Sequence, residues 1–298
     1  MPAQGAAYPA RAAQDVEAVR RRAAAIVRTS GMRRPPFLPE RYAARCGVAA
    51  IIAAPLDGEA VKLEHRADRA GRTARTLLLV DRRLPPHTPQ WNGAVALGLG
   101  ETLAAGSGAA DRRALAEAAA AELLLPMPVF RPAAARTDLT VDGVRELAGR
   151  FAAPLRLTAR QWLASGLWRG LALLWREDAG TLRLWWRAAS PGFMPVPPAL
   201  GTDAAAIWAP GSRLFATQRT GRPHHGVEEV RLGTRPVWWF VRFAALRDPA
   251  DTADGRSLTA VFAMVMLTRG SARQDRAAAA PHRRRAPHPE GILAGSSN

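Results

Sequence analysis

Apolar residues recur at helical spacing between Val16 and Arg28. Val16, Val19, Ala23, Ile26 and Val27 fall on one face, and Arg20, Arg21 and Arg22 on the other. This predicts an amphipathic helix, closed by Gly31 and by the breaker Arg33-Arg34-Pro35-Pro36. Pro39 to Cys46 reads as a second short helix, and Gly47 to Ile52 as a strand. Gly71 to Val80 ends in Thr76-Leu77-Leu78-Leu79-Val80, a continuous apolar run that predicts a buried strand. Asp81 to Pro86 is a turn into a long helix beginning near Gln90. A further helix starts at Asp111, a plausible N-cap, and stops after Leu125 at Pro126 and Pro128. Thr140 caps the next, with Val144, Leu147, Ala148 and Phe151 on one face. Thr158 and Gln161 form a capping-box pattern for another helix that contains Trp162, Leu163 and Leu167.

From Trp168 onward the period changes from helical to alternating. Leu171–Trp175, Thr181–Arg187, Arg213–Thr217, Val227–Leu232, Val237–Phe243 and Leu258–Leu267 read as strands. In the second of these, Leu182, Leu184 and Trp186 share one face, opposite Arg183, Trp185 and Arg187. Leu258–Leu267 is apolar on both faces and is expected at the centre of a sheet. Asp178-Ala179-Gly180 supplies a hairpin turn. The fold class is therefore α+β. The expected layout is a disordered start over 1–13, a first domain over 14–166 that ends in a helix pair, a β-rich α+β domain over 167–270, and a disordered basic tail over 271–298.

Composition narrows the function classes. Of 298 residues, none form an uncharged apolar run of 18, and no apolar segment follows a basic start, so a soluble, unexported chain with no membrane partner is expected. The single cysteine, Cys46, rules out an intramolecular disulfide and fits a reducing cytoplasm. Its Ala-Arg-Cys-Gly-Val setting suits a buried structural thiol better than a nucleophile. The formal net charge is +17 and Lys62 is the only lysine. That charge favours a polyanionic partner, nucleic acid foremost, although the arginines are scattered and the densest clusters lie near the ends. Tryptophans interleave with arginines at Arg183, Trp185, Trp186 and Arg187, and again at Trp238, Trp239 and Arg242. Such a pattern either stacks bases or packs one sheet face with arginines on the other. Trp91 is expected in the core, and Trp208, in an Ala-Pro-rich segment, partly at the surface.

Few residues carry recognisable chemistry. His224 and His225 adjoin Pro223 and Gly226 and read as a loop; neighbouring imidazoles do not make a metal site alone. His87 lies in the turn before the Gln90 helix. Glu101 is a lone carboxylate. The chain has no P-loop, no G-x-S-x-G, no C-x-x-C, and no G-x-G-x-x-G after a strand.

One stretch does carry a family pattern. Gln90 to Gly106 reads Q-W-N-G-A-V-A-L-G-L-G-E-T-L-A-A-G, and Asp111 to Pro126 reads D-R-R-A-L-A-E-A-A-A-A-E-L-L-L-P. Two helices in this order, the second ending in Glu122-Leu123-Leu124-Leu125-Pro126, resemble the core of ImmA/IrrE-type metallopeptidases. The likeness extends to the preceding helix, the Gly47-Val48 helix end and the Val80-Asp81-x-x-Leu84-Pro85 turn, and so spans about residues 16 to 165.

The resemblance implies a zincin-like fold, with a C-terminal domain of GAF type in stress-response relatives. In catalytic relatives the first helix carries H-E-x-x-H; here Val95-Ala96-Leu97-Gly98-Leu99 stand in its place. A zinc hydrolase needs two imidazoles at i and i+4 and a carboxylate beside the first. Val95 and Leu99 keep the spacing but offer no lone pair, and Ala96 cannot act as a base. The family's third ligand, a Glu on the second helix, falls at Arg113 when Glu122–Pro126 is the anchor, with Glu117 at the polar position four residues on.

Thus no catalytic residue, no metal ligand and no cofactor are expected. The resemblance implies a regulatory protein that binds a helix-turn-helix repressor without cutting it. Two alternatives stay open: a DNA-associated transcriptional regulator acting through its basic surface and the helix pair near 142–167, and a metallopeptidase with a non-standard metal site. The connection Ala152 to Leu157 is longer than a DNA-reading turn normally allows, which favours a packing role for that pair.

Overall fold

A computed structural model describes residues 7–67, 74–106, 109–191, 193, 198–231, 236–247 and 259–266. The arrangement is α+β, with seven helices and two sheets among these residues. The first helix, α1, spans Ala7–Thr29 and so begins inside the segment expected to be disordered. An alanine-rich start favours helix, and Pro9 sits in the first turn, where no intrahelical N–H bond is lost. Pro39–Tyr42 and Ala44–Cys46 form two 3-10 turns in place of one short helix, and Gly47 ends them at φ 77°.

Three strands follow: β1 (Val48–Ala54), β2 (Val61–Ala67) and β3 (Ala74–Asp81), in the order β1-β3-β2. β1 runs parallel to β3, and β2 antiparallel to it. The expected strand from Gly71 is described only from Ala74. β2 was not anticipated, although Val61-Lys62-Leu63-Glu64 alternates as a half-buried strand does.

Five helices carry the chain to the second sheet. α2 spans Pro89–Leu103 and is capped by Thr88, whose side chain accepts from the Trp91 N–H. α3 spans Ala109–Leu124, so Asp111 lies within its first turn rather than before it. α4 (Met127–Ala134) is a helix where only a stop was expected; Pro128 falls in its first turn, where proline is tolerated. α5 (Val141–Phe151) begins as predicted, with the Thr140 hydroxyl accepting from the Gly143 N–H at 3.0 Å. α6 spans Leu155–Ala164 with Pro154 as its N-cap, four residues before Thr158. The Thr158–Gln161 pair is thus inside the helix: the Thr158 hydroxyl donates back to the Pro154 carbonyl, and Gln161 is buried.

The second sheet is antiparallel throughout, with the order β5-β4-β8-β7-β6. Its strands are β4 (Gly170–Asp178), β5 (Thr181–Ala189), β6 (His224–Arg231), β7 (Pro236–Arg247) and β8 (Thr259–Met266). β8 is central, as its two apolar faces require. Ala179 and Gly180, both at positive φ, turn β4 into β5. Arg213–Thr220 is a helix, α7, and not a strand; Ser212 caps it by accepting from the Leu214 N–H, and Gly221 ends it at φ 67°. His224 and His225 open β6 and do not sit in a loop.

Trp185 is the extra residue in a β-bulge: Leu174 pairs with Trp186 while Trp175 pairs with Leu184. The bulge reverses the alternation. Leu182 and Leu184 therefore enter one core and Trp186 and Ala188 the other, where strict alternation had put Leu182, Leu184 and Trp186 on one face.

Two apolar cores result. One joins α1–α6 and the first sheet to Ala172, Leu174, Trp186, Ala244, Phe262 and Met264 on one face of the second sheet. The other fills the opposite face with Trp175, Trp208, Trp239, Val241 and Phe243, under the β5–β6 crossover that includes α7. Trp208 is fully buried and meets Phe243 edge-on at 5.2 Å, against the expectation of partial exposure; a bridge to Val230 holds its segment on the sheet. Residues 1–267 form one compact unit, and the first core runs through it without a break at 166. Among the described residues no helix is long and apolar enough to cross a membrane. The 271–298 tail lies outside the described residues.

Candidate functional site

The region that a metallopeptidase would use is built around α2. Every residue from Trp91 to Gly100 is buried. A Cβ on Gly98 would overlap Leu78 of β3 and lie 3.0 Å from Val61 of β2, so the helix rests directly on the first sheet. On another side, a Cβ on Gly100 would overlap the carbonyl oxygen of Ala116, which brings α2 and α3 into backbone contact. At the N-terminal end Gly93 is pressed on Pro154, and Asn92 donates to the Ala152 carbonyl at 2.9 Å. Trp91 donates its indole N–H to Glu40 at 2.6 Å.

The residues at the motif positions share that enclosure. Val95, Ala96 and Leu99 have no exposed surface. Arg113 points outward, its side chain 75% exposed, and reaches no nearer than 3.7 Å to Glu117. A hydrocarbon pair and a permanently charged guanidinium cannot coordinate a cation, so these positions do not fit zinc. Among the described residues, no three of His, Cys, Asp and Glu are gathered where they could hold a metal ion. His87 is 69% exposed and stands 3.7 Å from Glu40. Glu101 is half-buried, and desolvation pushes its carboxyl up against the pull of Arg113 and Arg112. Burial likewise pushes the Cys46 thiol up to about 11, which keeps it protonated and unreactive.

Polar chemistry is concentrated one face away, on the side of α3 that meets α6. Glu117 accepts from Arg160 at 2.9 Å and from the Trp186 indole at 3.4 Å. Glu122 accepts from the Met127 N–H and from Gln161, and Gln161 accepts in turn from Arg20 of α1. Desolvation raises the Glu122 carboxyl against hydrogen bonds from the Met127 N–H and Gln161 and the charge of Arg20, and it lowers the Arg20 and Arg160 guanidiniums against the charges of Glu122 and Glu117. The pattern is a clamp between α1, α3 and α6 rather than a site open to substrate.

The α5–α6 connection is shorter than its sequence implies. It is three residues, Ala152 to Pro154, with Ala152 left-handed at φ 48°. That length suits a helix-turn-helix, but none of the ten residues of α6 is exposed. With six of its ten residues buried and the other four half-buried, α6 offers no exposed face to lay in a groove.

Comparison with solved structures gives likeness at the level of the fold. No family model matches the chain, and no curated protein does. One solved structure is a Mycobacterium tuberculosis transcriptional regulator, similar at a TM-score of 0.51 with 19% identity over 82% of this chain and 75% of that one. At that identity the match speaks for the fold alone.

Two surface hollows lie apart from α2. One, about 480 Å³, is lined by Glu177, Ala205, Pro210, Phe215, Gln218 and Arg219 at the edge of the second core. In the second core the indole nitrogens of Trp175 and Trp208 are buried and make no hydrogen bond among the described residues. The other, about 530 Å³, is formed by α4 with Leu167. Neither was foreseen, because each joins residues far apart in the chain.

Proposed function

We propose that this chain is a regulatory protein on a peptidase-derived, ImmA/IrrE-like scaffold that works by binding and not by hydrolysis. One observation carries the reading: Val95, Ala96 and Leu99, at the three motif positions of α2, are apolar and sealed beneath the first sheet. The helix order and the Glu122–Pro126 ending of α3 support the scaffold half of the proposal. The name of the structural neighbour, a transcriptional regulator, supports the regulatory half. The second sheet, with β4 between β5 and β8 and a helical crossover over one face, supports a sensor-like domain of GAF type whose ligand is small. By the same reading, the macromolecular partner is a helix-turn-helix repressor.

The test is elemental analysis of the purified full chain together with incubation against repressors encoded beside its gene. We expect no stoichiometric zinc, no cleavage product by mass spectrometry, and saturable binding by calorimetry. One tightly held metal per chain, or a cut repressor, would establish a non-standard metal site and overturn the proposal.

A further inference from the structure

The two exposed tryptophans of the second sheet differ in one respect. Trp185 already has the Arg176 guanidinium 3.4 Å from its ring and that of Arg156 at 5.4 Å. Trp238 is 52% exposed, and no described side chain stacks on it. On β7, Trp239, Val241 and Phe243 point into the second core, so Trp238, Phe240 and Arg242 share the opposite face. Directly across on β6 stand Glu229, Val227 and His225. Helix α5 reaches this side of the sheet only near Ala245, where Arg145 donates to the carbonyl. On the part formed by β6 and the start of β7, His225 and Trp238 are exposed and Phe240 and Arg242 half-buried.

That face carries flat rings and a cation without a counter-ion. His225 lies 6.2 Å from Phe240, and the Arg242 guanidinium 5.3 Å from the same ring. Among the described residues Arg242 makes no hydrogen bond or ion pair, and its Nε is buried without a partner. The nearby acid, Glu229, is held by Arg231 at 3.2 Å.

We infer that Trp238, Phe240, Arg242 and His225 form a platform for single-stranded nucleic acid. The rings would stack on bases, and Arg242 would meet a phosphate. Alternate residues along a strand stand roughly 6.8 Å apart. This is twice the rise of about 3.4 Å per nucleotide in a stacked strand. Bases splayed from one another could therefore each find a side chain, whereas paired bases hide the faces that stack. The chain's net charge of +17 matches a polyanion. This inference is independent of the motif positions on α2, so a metal found there would leave it standing.

The experiment is fluorescence anisotropy with the full chain, 15-nucleotide oligothymidylate and oligouridylate, and a duplex of equal length. Single strands should bind more tightly than duplex. Trp238→Ala should lower affinity about tenfold or more, and Trp238→Phe should retain most of it. Arg242→Ala should weaken binding and flatten the slope of log K against log salt by about 0.7. Arg21→Ala, on the exposed face of α1, controls for loss of a charge and should leave the preference for single strands intact. Four results would overturn the inference: Trp238→Ala within twofold of the parent, duplex bound as tightly as single strand, Arg21→Ala as damaging as Arg242→Ala, or polyglutamate displacing the oligonucleotide at equal charge. Should Trp238→Ala unfold the protein, the Trp238→Phe and Arg242→Ala arms decide.

Discussion

Gly100 and Gly149 both sit in helices, yet substitution should act on them in opposite directions. Alanine at a helical glycine gains about 1 kcal/mol from propensity where nothing obstructs the new methyl. At Gly149 of α5 the space is open, so Gly149→Ala should raise stability by roughly 0.5–1 kcal/mol. At Gly100 the methyl would overlap the Ala116 carbonyl, a backbone atom that cannot rotate away. Gly100→Ala should therefore cost about 2–3 kcal/mol, as overpacking between two helices does. Urea unfolding of both variants provides the measurement; a stabilised Gly100→Ala would mean that α2 and α3 are not in backbone contact. The same closeness explains why the motif positions are sealed: small residues at 93, 98 and 100 let the neighbouring elements close on α2 from several sides.

At the scale of elements, α6 is fixed by buried charge more than by its ends. Arg160 reaches Glu117 and the Ala114 carbonyl, each at 2.9 Å, and Gln161 bridges Glu122 to Arg20. Removing one partner of a buried ion pair strands the other, at a cost of about 3–5 kcal/mol. Arg160→Ala should show a loss of that size in urea unfolding, whereas Arg160→Met with Glu117→Gln should lose much less, because no lone charge stays inside. Equal losses would assign the effect to packing alone. This clamp is not legible in the sequence of α6, where residue type marks what is inside and not what it meets there. Thr158 and Gln161 match a capping box by spacing, yet the N-cap is Pro154, four residues earlier. Arg213–Thr217 had a strand-like composition; Ser212 and Gly221 at its flanks were the helix signals to read.

For the whole molecule, the first core passes from α1–α6 into one face of the second sheet. A chain with such a core should melt in one transition, with calorimetric and van't Hoff enthalpies equal. Fragments 1–166 and 167–298, made separately, should not fold, since each would expose half of that interface; two resolved transitions in the intact chain would show two independent domains instead. The α+β class, the central place of β8, the Thr140 cap and the chemical silence of residues 95–99 were all determined by local patterns of residue type. These are set by side-chain size, polarity and spacing, which a sequence states outright. Tertiary structure alone decided the rest: the Trp185 bulge that divides β5 between two cores, the burial of Trp208, the closed surroundings of α2, and an Arg242 that has no hydrogen-bond or ion-pair partner among the described residues, beside an exposed Trp238. Each depends on residues distant in the chain meeting in space, and no local period records such a meeting.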